Sequence, residues 1–185
     1  MGTKRTLYEI EVALAKLPEF DFRKNIVAYN INGISEKLPI WHECDMLVCS
    51  KSGYLTEIEI KRSWSDFLAD FKKNHKHESE GLIKYFYYCL PSSFDLGKTY
   101  KILEENKVVY SGIYLYDEYL NFQFHAAKIY DDYYANRYIP CKKLFIEQQL
   151  EIARLASMRV VGLKEKINEL VKLLSYGKEN GYSAV

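Results

Sequence analysis

Apolar residues recur along this chain at two periods, and the places where one period gives way to the other divide it into elements. From Thr6 to Leu17, the positions Leu7, Ile10, Leu14 and Leu17 follow helical spacing, and Thr6 with Glu9 reads as a capping box. Asn25–Ile31 then reads as a strand ended by Asn32-Gly33. Ile40-Trp41-His42 leads into a second strand, Lys51-Ser52-Gly53 forms a polar turn, and a third strand carries Glu57, Glu59 and Lys61. Trp64, Phe67, Leu68 and Phe71 return to helical spacing behind a Ser63 N-cap that pairs with Asp66, and this aromatic stripe reads as core.

Leu82–Leu90 is a nearly continuous apolar run stopped by Pro91, the pattern of a buried central strand. Reached through a helix, it is expected to run parallel to its neighbour. Leu103–Lys107 suggests a short helix or turn, and Tyr110–Lys128 a further hairpin turning near Asp117-Glu118. Tyr114, Tyr116, Tyr119 and the tyrosines between Tyr130 and Tyr138 fit half-buried sheet surfaces better than a base-stacking platform. Cys141–Tyr176 is helical in character, with a stripe of Leu163, Ile167, Leu170 and Leu174, and Gly162 is a place where one long helix could divide into two. The order of elements predicts an α/β fold: a mixed sheet flanked by helices, with residues 141–185 a C-terminal helical extension of a domain formed by residues 1–140.

The first hairpin concentrates the charge chemistry. Side chains alternate along a strand, so Glu43, Asp45 and Leu47 are expected on one face and Glu57, Glu59 and Lys61 on one face of the next strand. A hairpin symmetric about Ser52 sets Asp45 opposite Glu59 and Glu43 opposite Lys61. Like charges across a strand pair are unfavourable, more so when buried, and call for a compensating cation. Hard ions such as Mg2+ take carboxylate oxygens and can activate water beside a lysine.

Composition narrows the setting. In 185 residues the chain carries 26 basic and 25 acidic side chains, so a nucleic-acid surface must come from local clustering and not from overall charge. Lys72-Lys73-Asn74-His75-Lys76-His77 is the densest basic cluster; it can either complement a helix C-terminus or engage phosphates. Cys44, Cys49, Cys89 and Cys141 lack CxxC spacing and read as free thiols. His42 is expected at the surface or a strand edge. The N-terminus lacks an apolar signal region and no apolar run approaches about 18 residues, so a cytoplasmic protein without membrane attachment is expected.

Asp45, followed after thirteen residues by Glu59-Ile60-Lys61, resembles the D...(D/E)xK signature of the PD-(D/E)XK nuclease superfamily. Arg62-Ser63, Asp66-Phe67, Asp70, Lys72 and the strand ending at Pro91 narrow the likeness to MmcB-like DNA-repair nucleases, over roughly Ile40–Ser93. The resemblance implies a restriction-endonuclease-like core and Mg2+- or Mn2+-dependent hydrolysis of DNA phosphodiesters, in DNA repair or mobile-element DNA processing. It implies Asp45 and Glu59 as metal ligands, the carbonyl of Ile60 as a further one, and Lys61 as the residue that positions or activates water. Glu11 is either a solvated carboxylate or the acidic residue that the first helix supplies in some superfamily members. Glu57 stands where the pattern implies an apolar residue, leaving open how metal binding divides between Glu57 and Glu59. Asp70 is either on a solvated helix face or fixes Lys61. Lys72, Lys73 and Lys76 are candidate DNA contacts, and the C-terminal helices could join a second copy or another protein. A non-catalytic nucleic-acid-binding or assembly module is the alternative.

Overall fold

The computed structural model describes residues 5–72, 81–108, 110–127 and 141–179. A six-stranded mixed sheet runs in the order β1 (Ile26–Ser35), β2 (Leu38–Cys49), β3 (Leu55–Ile60), β4 (Ile83–Pro91), β5 (Gly112–Tyr116), β6 (Phe122–His125). β1–β3 form an antiparallel meander, β4 and β5 continue it in parallel, and β6 closes it antiparallel to β5. Helices α1 (Leu7–Leu14), α2 (Trp64–Asp70), α3 (Leu96–Glu105) and α4 (Ile146–Glu179) complete the α/β fold. Among the described residues, no helix is long and apolar enough to cross a membrane.

Two cores lie on opposite faces of the sheet. On one, Ile10 and Leu14 of α1 pack with Met46, Val48, Ile58, Ile60, Tyr114 and Tyr116. On the other, Phe67 of α2, Leu103 of α3 and Ile152 of α4 meet Leu47, Leu55, Tyr88 and Leu90. Phe67 is fully buried, with its ring edge-on to Phe71 and Tyr88 at centroid distances of 5.1 and 5.3 Å.

The termini of the elements follow their side chains. Thr6 and Glu9 close a complete capping box, and Ser63 Oγ accepts the Asp66 amide to start α2. Gly53 supplies the positive φ of the β2–β3 turn, and its carbonyl accepts the Leu144 amide, tying the approach to α4 against the hairpin.

Several expectations are corrected. β1 does not stop at Asn32-Gly33 but continues to Ser35, because a register shift between Asn32 and Ile34 absorbs the irregularity. α3 begins at Leu96 under an Asp95 cap, earlier than apolar spacing suggested. Leu68 is 36% exposed and does not join Trp64, Phe67 and Phe71 in the core. α4 passes through Gly162 without a break, since the backbone cost of one glycine, about 1 kcal/mol, is small beside that of ending a helix.

Side chains of β1 and β2 also depart from simple alternation. In β1, Ala28 and Ile31 point to the same core although three positions apart, and in β2 Cys44 and Leu47 do likewise. Pairing is in constant register on both sides, with Tyr29 against Met46 and Ile31 against Cys44. The change of face therefore passes through the rung shared by Asn30 and Asp45, where Asn30 adopts φ 48°. Asparagine tolerates this left-handed conformation better than the β-branched residues around it. As a result Glu43, which is exposed, and Leu47, which is buried, lie on opposite faces, contrary to simple alternation.

Candidate functional site

The β2–β3 ladder pairs Met46 with Ile58 and Leu47 with Glu57, the register expected for a hairpin symmetric about Ser52. Beyond Met46 the side chain of Asp45 takes over the bonding, its Oδ2 accepting the Ile60 amide at 2.8 Å. Asp45 thus sits where the two strands part, beside the C-terminal end of β3.

Lys61 follows directly. Its amide donates to the Cys89 carbonyl, and its ammonium lies 2.8 Å from Glu59 Oε2 and 2.8 Å from Asp70 Oδ1. Tyr88, on the adjacent strand, donates its hydroxyl to Asp70 Oδ2 at 2.8 Å. Glu59, Lys61 and Asp70 are each no more than 5% exposed. Buried ions of this kind persist only when paired and hydrogen-bonded. Asp70 is accordingly not on a solvated helix face: α2 carries Phe67 and Asp70 inward together, and the aspartate braces Lys61.

Glu11, on α1 at the other face of the sheet, bears on Asp45. It is buried, accepts a hydrogen bond from Asn30 Nδ2 at 2.7 Å, and lies within electrostatic range of Asp45. The strand rung that changes face therefore joins the α1 carboxylate to the Asp45 carboxylate.

Burial raises the pKa of Asp45, against the opposing pull of the Ile60 amide and Lys61. Burial and then the Asp45 charge push Glu59 up to about 7, although Lys61 pulls the other way. Desolvation alone would lower Lys61, but the Glu59 and Asp70 carboxylates outweigh it and hold the ammonium firmly protonated. Glu11 is raised by burial, partly offset by Asn30. Asp45 and Glu59 thus present buried carboxylate oxygens beside one fixed cation, the donor type that Mg2+ or Mn2+ takes, while Glu11 bears on Asp45; among the described residues no three of these carboxylates lie within 4.8 Å of one another.

Glu57 does not join them. It is fully buried and faces His42, with His42 Nε2 2.5 Å from Glu57 Oε1. His42 is 5% exposed, contrary to the expectation of a surface or edge position, because it shares the core-facing side of β2 with Leu38, Ile40 and Cys44. Of the basic cluster, Lys72 is exposed just after α2, whereas Lys73, His75, Lys76 and His77 lie outside the described residues, as do Tyr130–Tyr138. The helix stops at Asp70 with no basic residue in its last turn, so Lys72 follows the helix instead of capping it from within.

A cleft of about 980 Å3 opens beyond the carboxyl ends of β3, β4 and β5, lined in part by Arg62, Trp64, Ser92, Ser93, Lys98 and Tyr116. Asp45, Glu59 and Lys61 do not line it, but Arg62 and Ser63 connect it directly to Lys61. Crevices at this end of parallel strands are the usual ligand positions in open α/β sheets.

Tyr88, Asn30 and Cys44, which contact Asp70, Glu11 and His42, are not singled out by the sequence pattern. An asparagine in the middle of a strand was a usable signal, since asparagine is depleted there. Tyr88 had none, being one of 17 tyrosines.

No family model and no curated protein matches the chain. Among solved structures it is similar to the SPO1766 protein of unknown function from Silicibacter pomeroyi. The TM-score is 0.51 and the identity 13%, over 86% of this chain and 88% of that one. The likeness extends over most of both chains and concerns the α/β fold.

Proposed function

We propose that the protein is a Mg2+- or Mn2+-dependent deoxyribonuclease that hydrolyses DNA phosphodiesters. The observation that carries this reading is the convergence of Asp45, Glu59 and Lys61 at the parting of β2 and β3, with Glu11 arriving from α1. Asp45 and Glu59 hold the ion, with Glu11 and the Ile60 carbonyl as further ligands, and the ion supplies water activation and phosphate charge neutralisation. Lys61 stays cationic between Glu59 and Asp70, so its part is to orient the attacking water and to stabilise negative charge on the phosphate. Asp70, itself held by Tyr88, fixes the direction of that ammonium. DNA approaches over the cleft that begins at Arg62, with Lys72 offering a phosphate contact.

The test is cleavage of linear single-stranded, linear duplex, circular and branched DNA by wild type and Lys61→Ala, with Mg2+, Mn2+ or EDTA. Both proteins are first shown folded by circular dichroism. Cleavage that needs the metal and falls about 10²- to 10³-fold in the variant supports the reading. Absence of cleavage on all four substrates, with tight DNA binding that survives both EDTA and Lys61→Ala, favours a non-catalytic DNA-binding module instead.

A further inference from the structure

His42 and Cys44, two residues apart on β2, point to the same side of the sheet as Glu57 on β3. The change of face at Asp45 is what makes this possible, since it turns the early part of β2 over relative to Leu47, the partner of Glu57. One ligand atom from each of the three side chains falls within a group spanning at most 4.8 Å. His42 Nε2 is 2.5 Å from Glu57 Oε1 and 3.7 Å from Cys44 Sγ. Exposure is 5%, 0% and 0% for His42, Cys44 and Glu57.

We infer that His42, Cys44 and Glu57 form a buried Zn2+ site, separate from the Asp45–Glu59–Lys61 group and independent of the nuclease reading. Zinc bonds to sulfur, nitrogen and oxygen at about 2.0–2.3 Å, which puts tetrahedral ligands roughly 3.3–3.8 Å apart. The Cys44–His42 separation already lies in that range, while Glu57 must withdraw by about 1 Å from His42. The donor set excludes Mg2+, which takes oxygen and keeps its waters, and suits a borderline-soft ion.

Charge argues in the same direction. A thiolate, a carboxylate and a neutral imidazole around a divalent ion sum to zero, the arrangement a dry site tolerates best. Binding expels the Cys44 thiol proton, and His42 coordinates through Nε2. Among the described residues three side chains join the group, leaving one position of the tetrahedron open to a further ligand.

Metal-stripped, full-length protein titrated with Co2+ tests the site. The expected result is a near-ultraviolet thiolate-to-cobalt charge-transfer band with intense visible bands of tetrahedral Co2+, both bleached by Zn2+. The bands persist in Asp45→Asn, which leaves this site whole even if the nuclease reading fails. They disappear in folded Cys44→Ala, whose Zn2+ affinity falls at least 100-fold, since outer-shell partners alone are worth about 10- to 100-fold. His42→Gln, which keeps the thiol, is expected to shift the visible bands and serves if Cys44→Ala does not fold. No charge-transfer band in wild type overturns the inference, as does a band that survives loss of Cys44.

Discussion

Glu57 and Glu59 are two residues apart on one strand, point the same way and are both buried, yet they belong to different chemistry. Glu59 meets a lysine and stands within range of other carboxylates; Glu57 meets an imidazole and a thiol. The difference comes from the neighbouring elements. Asp70 on α2 holds the lysine that Glu59 meets and Asp45 at the end of the ladder adds its charge, while the reversed segment of β2 carries His42 and Cys44 to Glu57. A carboxylate's role is thus assigned by what the second strand and the helix bring to it, and a spacing motif alone does not separate the two.

The strongest challenge to this contrast is Lys61→Ala. It leaves Glu59 and Asp70 buried without their cation, and the expected loss is about 3–5 kcal/mol in urea unfolding without metal. A loss below 1 kcal/mol would mean that the lysine is not the keystone of its group. Next in size, saturating Mg2+ is expected to raise the melting temperature of wild type, as a ligand at about 100 times its Kd adds about 2.7 kcal/mol. That increase should vanish in Glu59→Gln and remain in Glu57→Gln; the reverse pattern would exchange the roles of the two glutamates.

Tyr88→Phe removes the hydroxyl that serves Asp70 and should cost about 1–3 kcal/mol. It should also reduce kcat more than it changes KM, if its effect runs through the direction of Lys61. The pH dependence of metal-free stability distinguishes the groups further. Glu59 loses its proton near 4.5 in the unfolded chain but only at about 7 in the fold, so between those values the folded state binds more protons and stability falls as pH rises. Glu59→Gln should flatten that decline.

The smallest effect lies away from both groups. Arg23 and its amide hold the Asp21 carboxyl at about 2, below its ordinary 3.8. Its stabilising contribution is complete above about 3.8 and lost as pH falls through about 2. Asp21→Asn should remove this part of the acid limb in a stability titration and leave the neutral range alone.

Much of the architecture could be read from the chain because its elements carry local punctuation. The capping box at Thr6, the Ser63 cap, the Gly53 turn and the apolar run before Pro91 each act within a few residues. The register of the first hairpin followed from its turn as far as Met46 and Ile58, but the strands part at Asp45, so the expected rungs Asp45–Glu59 and Glu43–Lys61 do not form. What could not be read was long-range. Both strands change face at the Asn30–Asp45 rung, and alternation counted along β2 alone put Leu47 on the side of Glu43. Asp70 looked as much like a solvated helix residue as a brace for Lys61, because its inward turn depends on Phe67 being swallowed by the core. His42 looked like an edge residue because the exposed Trp41 and Glu43 beside it mask that its side of β2, shared with Ile40 and Cys44, faces the core.

The left-handed Asn30 also bears on how the sheet assembles. A one-residue slip of β1 would ask Tyr29 or Ile31 to occupy the same φ of 48°, a conformation that costs bulky and β-branched side chains dearly. Misaligned pairings of the first hairpin are thereby disfavoured before any carboxylate has found its partner, and Asn30 acts as an alignment pin for the folding chain.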